Sequence, residues 1–143
     1  MKRIILLLIF AALAAGGGRA NADDSIVVIV NPASGVDRLS RDEVIDIFLG
    51  RYRKLPSGRA ALPIDVETSD ERARFYQLLV KKSPAEISSY WARLVFSGQS
   101  SPPFQVADAK TAVELVQSNP NAIAYVDRAS VNAQVKVVLE IKP

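Results

Sequence analysis

The sequence predicts a single α/β domain built on an open sheet, with about four strands and about four helices. Its 143 residues suit one hydrophobic core. Apolar β-branched runs alternate with segments whose apolar residues recur every third or fourth position, and no internal repeat or low-complexity linker divides the chain. We therefore expect one domain over residues 23–143.

Residues 1–22 are predicted to be a secretory signal peptide. Lys2 and Arg3 form a positive start, Ile4–Ala15 is apolar, and Ala20–Ala22 supplies a small-x-small cleavage signal. The apolar stretch is shorter than the roughly 18 to 20 residues that a permanent membrane span needs. We expect cleavage after Ala22 and an exported chain without a membrane anchor; an uncleaved N-terminal anchor is the alternative.

Charge and missing residue types exclude several functions. The chain has 18 basic and 15 acidic residues, and removing Lys2, Arg3 and Arg19 with the signal peptide leaves 15 of each. No nucleic-acid partner is predicted, because the basic excess belongs to the discarded segment. The chain has neither Cys nor His, so thiol nucleophiles, imidazole bases and zinc sites built on these residues are excluded.

The first half of the mature chain predicts two strands and a helix. Ser25–Val30 is a continuous apolar run, typical of a strand buried on both faces of a parallel sheet. Ser40 and Glu43 have the spacing of a capping box, which opens a helix that ends at Gly50. The alternation over Leu62–Val66 predicts the second strand.

The second half predicts three helices and two strands. Ser69 caps a helix whose first turn holds Asp70 and Glu71, where the helix dipole favours acids. Trp91 lies on the apolar face of the next helix and is expected in the core. The remaining segments are a helix from Ser83 to Gly98, a loop over Gln99–Phe104, a helix around Ala112–Val116, and strands over Ala122–Val126 and Val135–Ile141.

No catalytic constellation is found, so the chain is not predicted to be an enzyme. A serine hydrolase needs a base, and nothing in the sequence replaces the missing His. Asp65 and Glu67 alternate along a strand and so share one side, which suits a carboxylate pair, a hard cation or an exposed strand face. We favour the exposed face and predict no metal or cofactor. The basic segment Arg51–Lys54 is expected to be a solvated loop.

Two junctions between a strand and a helix could hold a small anion. In an open α/β sheet, loops at the carboxyl ends of strands face helix N-termini, whose backbone N–H groups are unpaired. Asn31–Gly35 and Thr68–Arg72 each follow a predicted strand. Acidic residues at the second junction would repel an anion unless Arg72 or Arg74 turned toward it. Self-capping of these junctions is the alternative.

Four motifs occur in the order and at the spacing of one known family. They are Val30–Val36, Leu39–Glu43 with Ile47–Gly50, Ser89–Trp91 with Phe96–Gly98, and Asn119–Val126. Together they resemble the PstS-like phosphate-binding proteins of ABC transporters, over nearly the whole mature chain. Full-length members are two-lobed clamshells that close over phosphate. The resemblance implies a periplasmic α/β protein with a single open-sheet domain, similar to one lobe of a type 2 periplasmic binding protein.

This resemblance implies a phosphate or another small oxyanion as the ligand, bound without catalysis. The predicted ligand-binding residues are Ser34, Gly35, Thr68, Ser69 and Arg72. Ser34, Thr68 and Ser69 would donate hydroxyl groups, Gly35 its backbone N–H, and Arg72 would neutralise charge. A single lobe leaves one side of the ligand in water, so a homodimer across the cleft would strengthen binding.

The chain departs from the family at the second junction. There the family binds phosphate with an Arg followed by Ser-Gly-Thr, but Asp65 matches the Arg, and Asp70 and Glu71 stand in place of Gly and Thr. Carboxylates thus replace donors and a positive charge. The alternative hypothesis is a ligand-free interaction module for a protein partner in the cell envelope, with Gln99–Phe104 and Arg51–Lys54 as its contact loops.

Overall fold

The structure, a computed structural model, describes residues 25–67 and 70–143, so the predicted signal peptide lies outside the described residues. The strands are β1 (Ile26–Val30), β2 (Leu62–Val66), β3 (Phe104–Val106), β4 (Ala122–Asp127) and β5 (Lys136–Ile141), and the helices are α1 (Arg41–Phe48), α2 (Asp70–Val80), α3 (Pro84–Phe96) and α4 (Ala109–Ser118). None of the helices described is both long and apolar enough to span a membrane.

The five strands form one mixed sheet in the order β3-β2-β4-β1-β5. β2 is parallel to β3 and β4, whereas β1 is antiparallel to β4 and β5. The predicted α/β domain with an open sheet is confirmed. The prediction that β1 is a parallel strand is wrong. All residues of Ile26–Val30 are buried, as predicted. However, an interior strand of a mixed sheet that is covered on both faces is buried whether it runs parallel or antiparallel to its neighbours.

The direction of β1 decides which loops can meet. β1 and β2 both flank β4, and they run in opposite directions along it. Val30 at the end of β1 lies opposite Ile123 near the start of β4, while Ile26 lies opposite Asp127 at the end of β4. The loops that follow β1 and β2 therefore emerge at opposite ends of the sheet.

β3 is a strand that the sequence pattern did not predict. It is three residues long and follows Pro102 and Pro103, a composition typical of a loop. Phe104 pairs with Ile64 of β2, and Val106 pairs with Val66. The strand thus depends on backbone pairing with β2, which local composition does not reveal.

Side chains cap the N-termini of α1 and α3 as the sequence predicts. In α1 the Ser40 N–H donates to Glu43 at 2.7 Å, and the Glu43 N–H donates to the Ser40 hydroxyl at 3.1 Å. Ser83 and Glu86 form the same box at α3. Asp108 caps α4 by accepting from the Thr111 N–H at 2.8 Å, so this helix begins earlier than predicted.

The core is centred on aromatic rings between the sheet and the first two helices. Phe75 of α2 stacks on Tyr125 of β4 with ring centroids 3.9 Å apart, and Phe48 of α1 meets Phe75 edge-on at 5.0 Å. Trp91 of α3 is 7% exposed, which confirms its predicted place in the core. These contacts fix α2 against the carboxyl half of β4.

Asn31 ties the end of β1 to the end of α4. Its side-chain amide donates to the carbonyl oxygens of Val116 and Gln117, both at 2.9 Å, and its Oδ1 accepts from the Ala33 N–H at 2.8 Å. Carbonyl groups in the last turn of a helix have no partner within the helix. Asn31 supplies that partner, so the residue is a structural tie.

We expect Asn31→Ala to lower the free energy of unfolding by about 2 kcal/mol, since the buried carbonyls of α4 lose their donor. Urea denaturation of the purified variant measures this loss. As a matched control, Asn132→Ala removes an exposed amide that bonds to the Gln117 side chain and the Gln134 N–H, and it should change stability by less than about 0.5 kcal/mol. Equal midpoints for the two variants would refute the structural role.

Candidate functional site

The predicted site residues do not form one site. Ser34 and Gly35 follow β1, whereas Arg72 follows β2 and lies at the other end of the sheet. Thr68 and Ser69 lie outside the described residues. A ligand bound at the start of α2 is therefore out of reach of Ser34 and Gly35.

The loop after β1 uses its own donors. The Ser34 N–H donates to the Asn31 carbonyl at 2.9 Å, and the Val36 N–H donates to the Ser34 hydroxyl at 3.2 Å. Ser34 is fully buried. Gly35 has φ +78°, and a Cβ there would lie 3.0 Å from the Ser57 Cβ, so the turn requires glycine. These contacts favour self-capping here, and ligand binding by Ser34 and Gly35 stays a prediction.

Asp65 of β2 is a buried carboxylate, 2% exposed. The Arg72 Nε–H donates to its Oδ2 at 3.0 Å, the Tyr125 hydroxyl donates to its Oδ1, and the Tyr76 hydroxyl reaches its Oδ2 at 3.5 Å. The expectation of an exposed strand face is therefore wrong for Asp65, because α2 covers this face of the sheet. Glu67 lies beyond the end of β2 and is exposed.

The surroundings of Asp65 keep its three partners, Arg72, Tyr76 and Tyr125, protonated and able to donate hydrogen bonds. Burial acts to lower the pKa of Arg72, but the hydrogen bond and charge of Asp65 outweigh it, and the pKa is raised. Burial first, and then the charge of Asp65, raise the pKa of Tyr76 and of Tyr125, so both phenols stay protonated. The Arg72 guanidinium also lies 5.5 Å from the centroid of the Tyr76 ring. Arg72 thus points inward, where Asp65 already neutralises its charge.

A second acidic group lies beside the first turn of α2. Glu71 hydrogen-bonds to Asp127 at the end of β4, and Arg74 forms an ion pair with the same Asp127. Burial, followed by the hydrogen bond and charge of Asp127, raises the pKa of Glu71 to about 7; Arg74 opposes this shift and Asp108 adds to it. Near neutral pH, Glu71 therefore changes between a neutral and a charged form.

These groups define the chemistry available at the start of α2. Each of Arg72 and Arg74 has a carboxylate partner there, and Glu71 adds a further carboxyl group. Within residues 25–67 and 70–143, no group of three or more acidic side chains could hold a metal ion. The arrangement suits reversible, pH-dependent binding of a small charged ligand, provided that the ligand displaces or shares the arginines.

The two contact loops of the alternative hypothesis meet in the structure. The Arg53 guanidinium donates to the Gln99 carbonyl at 3.1 Å and to the Ser100 hydroxyl at 3.3 Å. Gly50 lies against this junction: a Cβ there would lie 2.6 Å from the Ser100 Oγ and 2.7 Å from the Trp91 ring. Residues 51–54 and 99–104 thus form one continuous surface, here named the two-loop surface.

Asp65→Ala should lower the free energy of unfolding by about 3 kcal/mol, because it leaves the Arg72 guanidinium partly buried without its carboxylate. Asp65→Asn keeps an acceptor for Tyr125 and should cost less than the alanine variant. Chemical denaturation of both variants orders them. A loss below about 0.5 kcal/mol for Asp65→Ala would show that the buried pair does not support the fold.

Glu71 should make stability depend on pH. Its ordinary pKa of 4.5 is raised to about 7 in the fold, so between these values the folded protein keeps a proton that the unfolded chain has lost. This contribution is complete below the lower value and is lost as the pH rises to the upper one. Relative to Glu71→Gln, the wild type should lose about 1 kcal/mol of stability between pH 5 and pH 8, after solvent screening.

Denaturation curves at both pH values for the wild type and the Gln variant measure this difference. The control is Glu114→Gln, which alters an exposed carboxyl on α4 and should leave the pH dependence of the wild type unchanged. A Glu71→Gln protein that still follows the wild-type pH profile would contradict the assignment to Glu71.

No family model and no curated protein matches the chain. Among solved structures, an ABC-type phosphate transport receptor from Vibrio cholerae superposes with a TM-score of 0.63 at 19% identity, over 80% of this chain and 45% of that chain. A Clostridium perfringens protein crystallised with bound phosphate gives 0.61 at 20% identity, over 80% and 44%. PstS from Borrelia burgdorferi gives 0.61 at 13% identity, over 80% and 46%.

These similarities confirm the predicted resemblance at the level of the fold. Sequence identity of 13 to 20% is too low to transfer a ligand from these proteins. The chain spans less than half the length of each of them. It therefore has the fold of one part of the phosphate-binding receptors of ABC transporters.

Proposed function

We propose that this chain is an exported, non-catalytic binding protein whose ligand is phosphate or another small oxyanion, bound at the start of α2. The observation that carries the proposal is the fold shared with phosphate-binding receptors. The start of α2 adds support, because the backbone N–H groups and dipole of this 11-residue helix favour an anion. In this proposal Thr68 and Ser69 donate hydroxyl groups to the ligand.

The carboxylates at this end make binding depend on protonation. Asp65 neutralises Arg72 and Asp127 pairs with Arg74, so an incoming oxyanion competes with both acids. When Glu71 is ionised, it adds repulsion at the same helix start. Its proton removes that repulsion. Binding should therefore tighten as the pH falls through about 7, the pKa of Glu71.

A lobe without its counterpart leaves much of the ligand in water, where charge pairs are weak. The relatives in the structural comparison are more than twice as long as the part aligned with this chain. In this proposal, a second copy of the chain or an envelope partner covers the open side of the ligand. Affinity of the isolated chain is then low.

Titration calorimetry of the chain from Asp23 onward, with sulfate and with phosphate, tests the oxyanion proposal. Sulfate stays a dianion across neutral pH, so its pH dependence reports on the protein alone. We expect sulfate to bind several-fold tighter at pH 6 than at pH 8, because Glu71 gains its proton. Glu71→Gln should bind as tightly at pH 8 as the wild type does at pH 6, and Ser69→Ala should weaken binding.

Arg93→Ala serves as the matched control, since Arg93 is an exposed cation on α3 and its loss should leave the affinity unchanged. An equal loss in Arg93→Ala and Ser69→Ala would indicate diffuse charge attraction and reject a site at α2. A folded wild type that binds neither anion at either pH would reject the oxyanion function.

The second candidate function is protein interaction, and one observation favours it. The two loops named for this role are far apart in sequence, yet Arg53 joins them into one surface. Tyr52 and Phe104 on this surface are each 57% exposed. Both side chains line one groove, and exposed apolar patches mark interaction sites whereas scattered single apolar side chains do not.

A further inference from the structure

The two-loop surface borders a groove of 330 Å³. Tyr52 and Phe104 stand at its sides, and Trp91, Pro63 and Ile47 line it. This volume accommodates one or two side chains of a partner. The groove is thus an apolar recess in an aromatic surface, whereas an isolated exposed ring would need no explanation.

Trp91 lines the groove and is otherwise buried. The residue is 7% exposed, and its indole N–H has no hydrogen-bond acceptor among residues 25–67 and 70–143. Buried polar groups are normally paired, and an unpaired one costs on the order of 1 to 3 kcal/mol.

The loop beside the groove is basic: Arg53 lines the groove, and Arg51 and Lys54 flank Tyr52 and Arg53 in sequence. Arg51, Arg53 and Lys54 are exposed, and Arg51 meets one acid, Asp46, at 3.6 Å. Arg53 donates to a carbonyl and a hydroxyl oxygen of the facing loop, and these neutral partners leave its positive charge uncancelled. A partner that complements this basic loop carries acidic side chains beside its apolar ones.

The edge of β3 does not favour the addition of a strand. Exposed strand edges bind extended segments through rows of free backbone N–H groups. β3 has three residues, and Pro102 and Pro103 before it have no N–H to donate. Recognition at this surface therefore depends on side chains.

We propose that the two-loop surface binds an acidic segment of a partner protein, with an apolar side chain in the groove and carboxylates against Arg51 and Lys54. This inference is independent of oxyanion binding. The groove includes Leu62 and Pro63 at the start of β2, whereas α2 begins beyond the end of that strand. Substitutions at one place leave the other unchanged.

Trp91 is the single tryptophan of the chain, so its fluorescence reports directly on the groove. The probe is a peptide of alternating glutamate and phenylalanine, titrated into the mature chain. We expect a saturable change in Trp91 fluorescence. Phe104→Ser and the double variant Arg51→Glu with Lys54→Glu should each weaken binding at least tenfold.

Three controls use the same readout. Peptides of alternating lysine and phenylalanine, and of alternating glutamate and serine, should not saturate, because one lacks the charge and the other the apolar side chain. Arg38→Glu should leave the affinity unchanged: Arg38 is an exposed cation beside Leu39, which bonds to β5 at the other edge of the sheet. Thermal denaturation verifies that every variant is folded.

Several results would overturn the proposal. They are no saturation with the acidic peptide, equal binding of the basic peptide, or equal weakening by Arg38→Glu. Phosphatidylglycerol vesicles provide the remaining test. Vesicle binding that depends on Phe104, without peptide binding, would assign the surface to a membrane and reject the protein partner.

Discussion

The buried carboxylate of Asp65 is the constraint on which this end of the molecule depends. A carboxylate at 2% exposure needs partners, and here three side chains from two elements supply them: Arg72 and Tyr76 on α2, and Tyr125 on β4. The same Tyr125 hydroxyl accepts the Val66 N–H at 3.1 Å. Satisfying one charge therefore fixes α2 against the sheet and sets where the first turn of α2 presents its groups.

That constraint also explains the character of the candidate site. Asp65 on the sheet and Arg72 on the helix form an ion pair at 3.0 Å. The pair is complete within the fold, so an oxyanion gains little from it. What remains adjustable is the proton on Glu71. The two proposed activities thus occupy different places, a protonation-dependent helix start and a basic aromatic groove.

Much of the fold could be predicted from the sequence, because its signals are local. The boxes of Ser40 with Glu43 and Ser83 with Glu86 mark two helix starts, and apolar runs mark four of the five strands. β3 was missed because its three residues become a strand only through pairing with β2. The direction of β1 was missed because an apolar run reports burial and not the direction of its neighbours.

The candidate site was harder to predict, because its bonds join distant residues. Asp65 and Tyr125 are 60 positions apart. The alternating pattern of β2 looks the same whether the acid in it is buried or exposed, so it could not predict the burial of Asp65. Arg72 was predicted to neutralise a ligand's charge, and the sequence did not reveal that it pairs with Asp65, 7 positions away. The joining of residues 51–54 to 99–104 by Arg53 likewise has no local signature.

Gly50 bears on how other sequences should be compared with this one. Any side chain at this position would meet Ser100 and the Trp91 ring at less than the distance real Cβ atoms keep, and the backbone there has φ +71°. A chain with the same fold but a bulkier residue at this position has to shift Ser100 and the Trp91 ring, and to strain its backbone, before the two loops meet in this way. The identity of this one residue therefore separates relatives that can share the groove from those that share only the sheet.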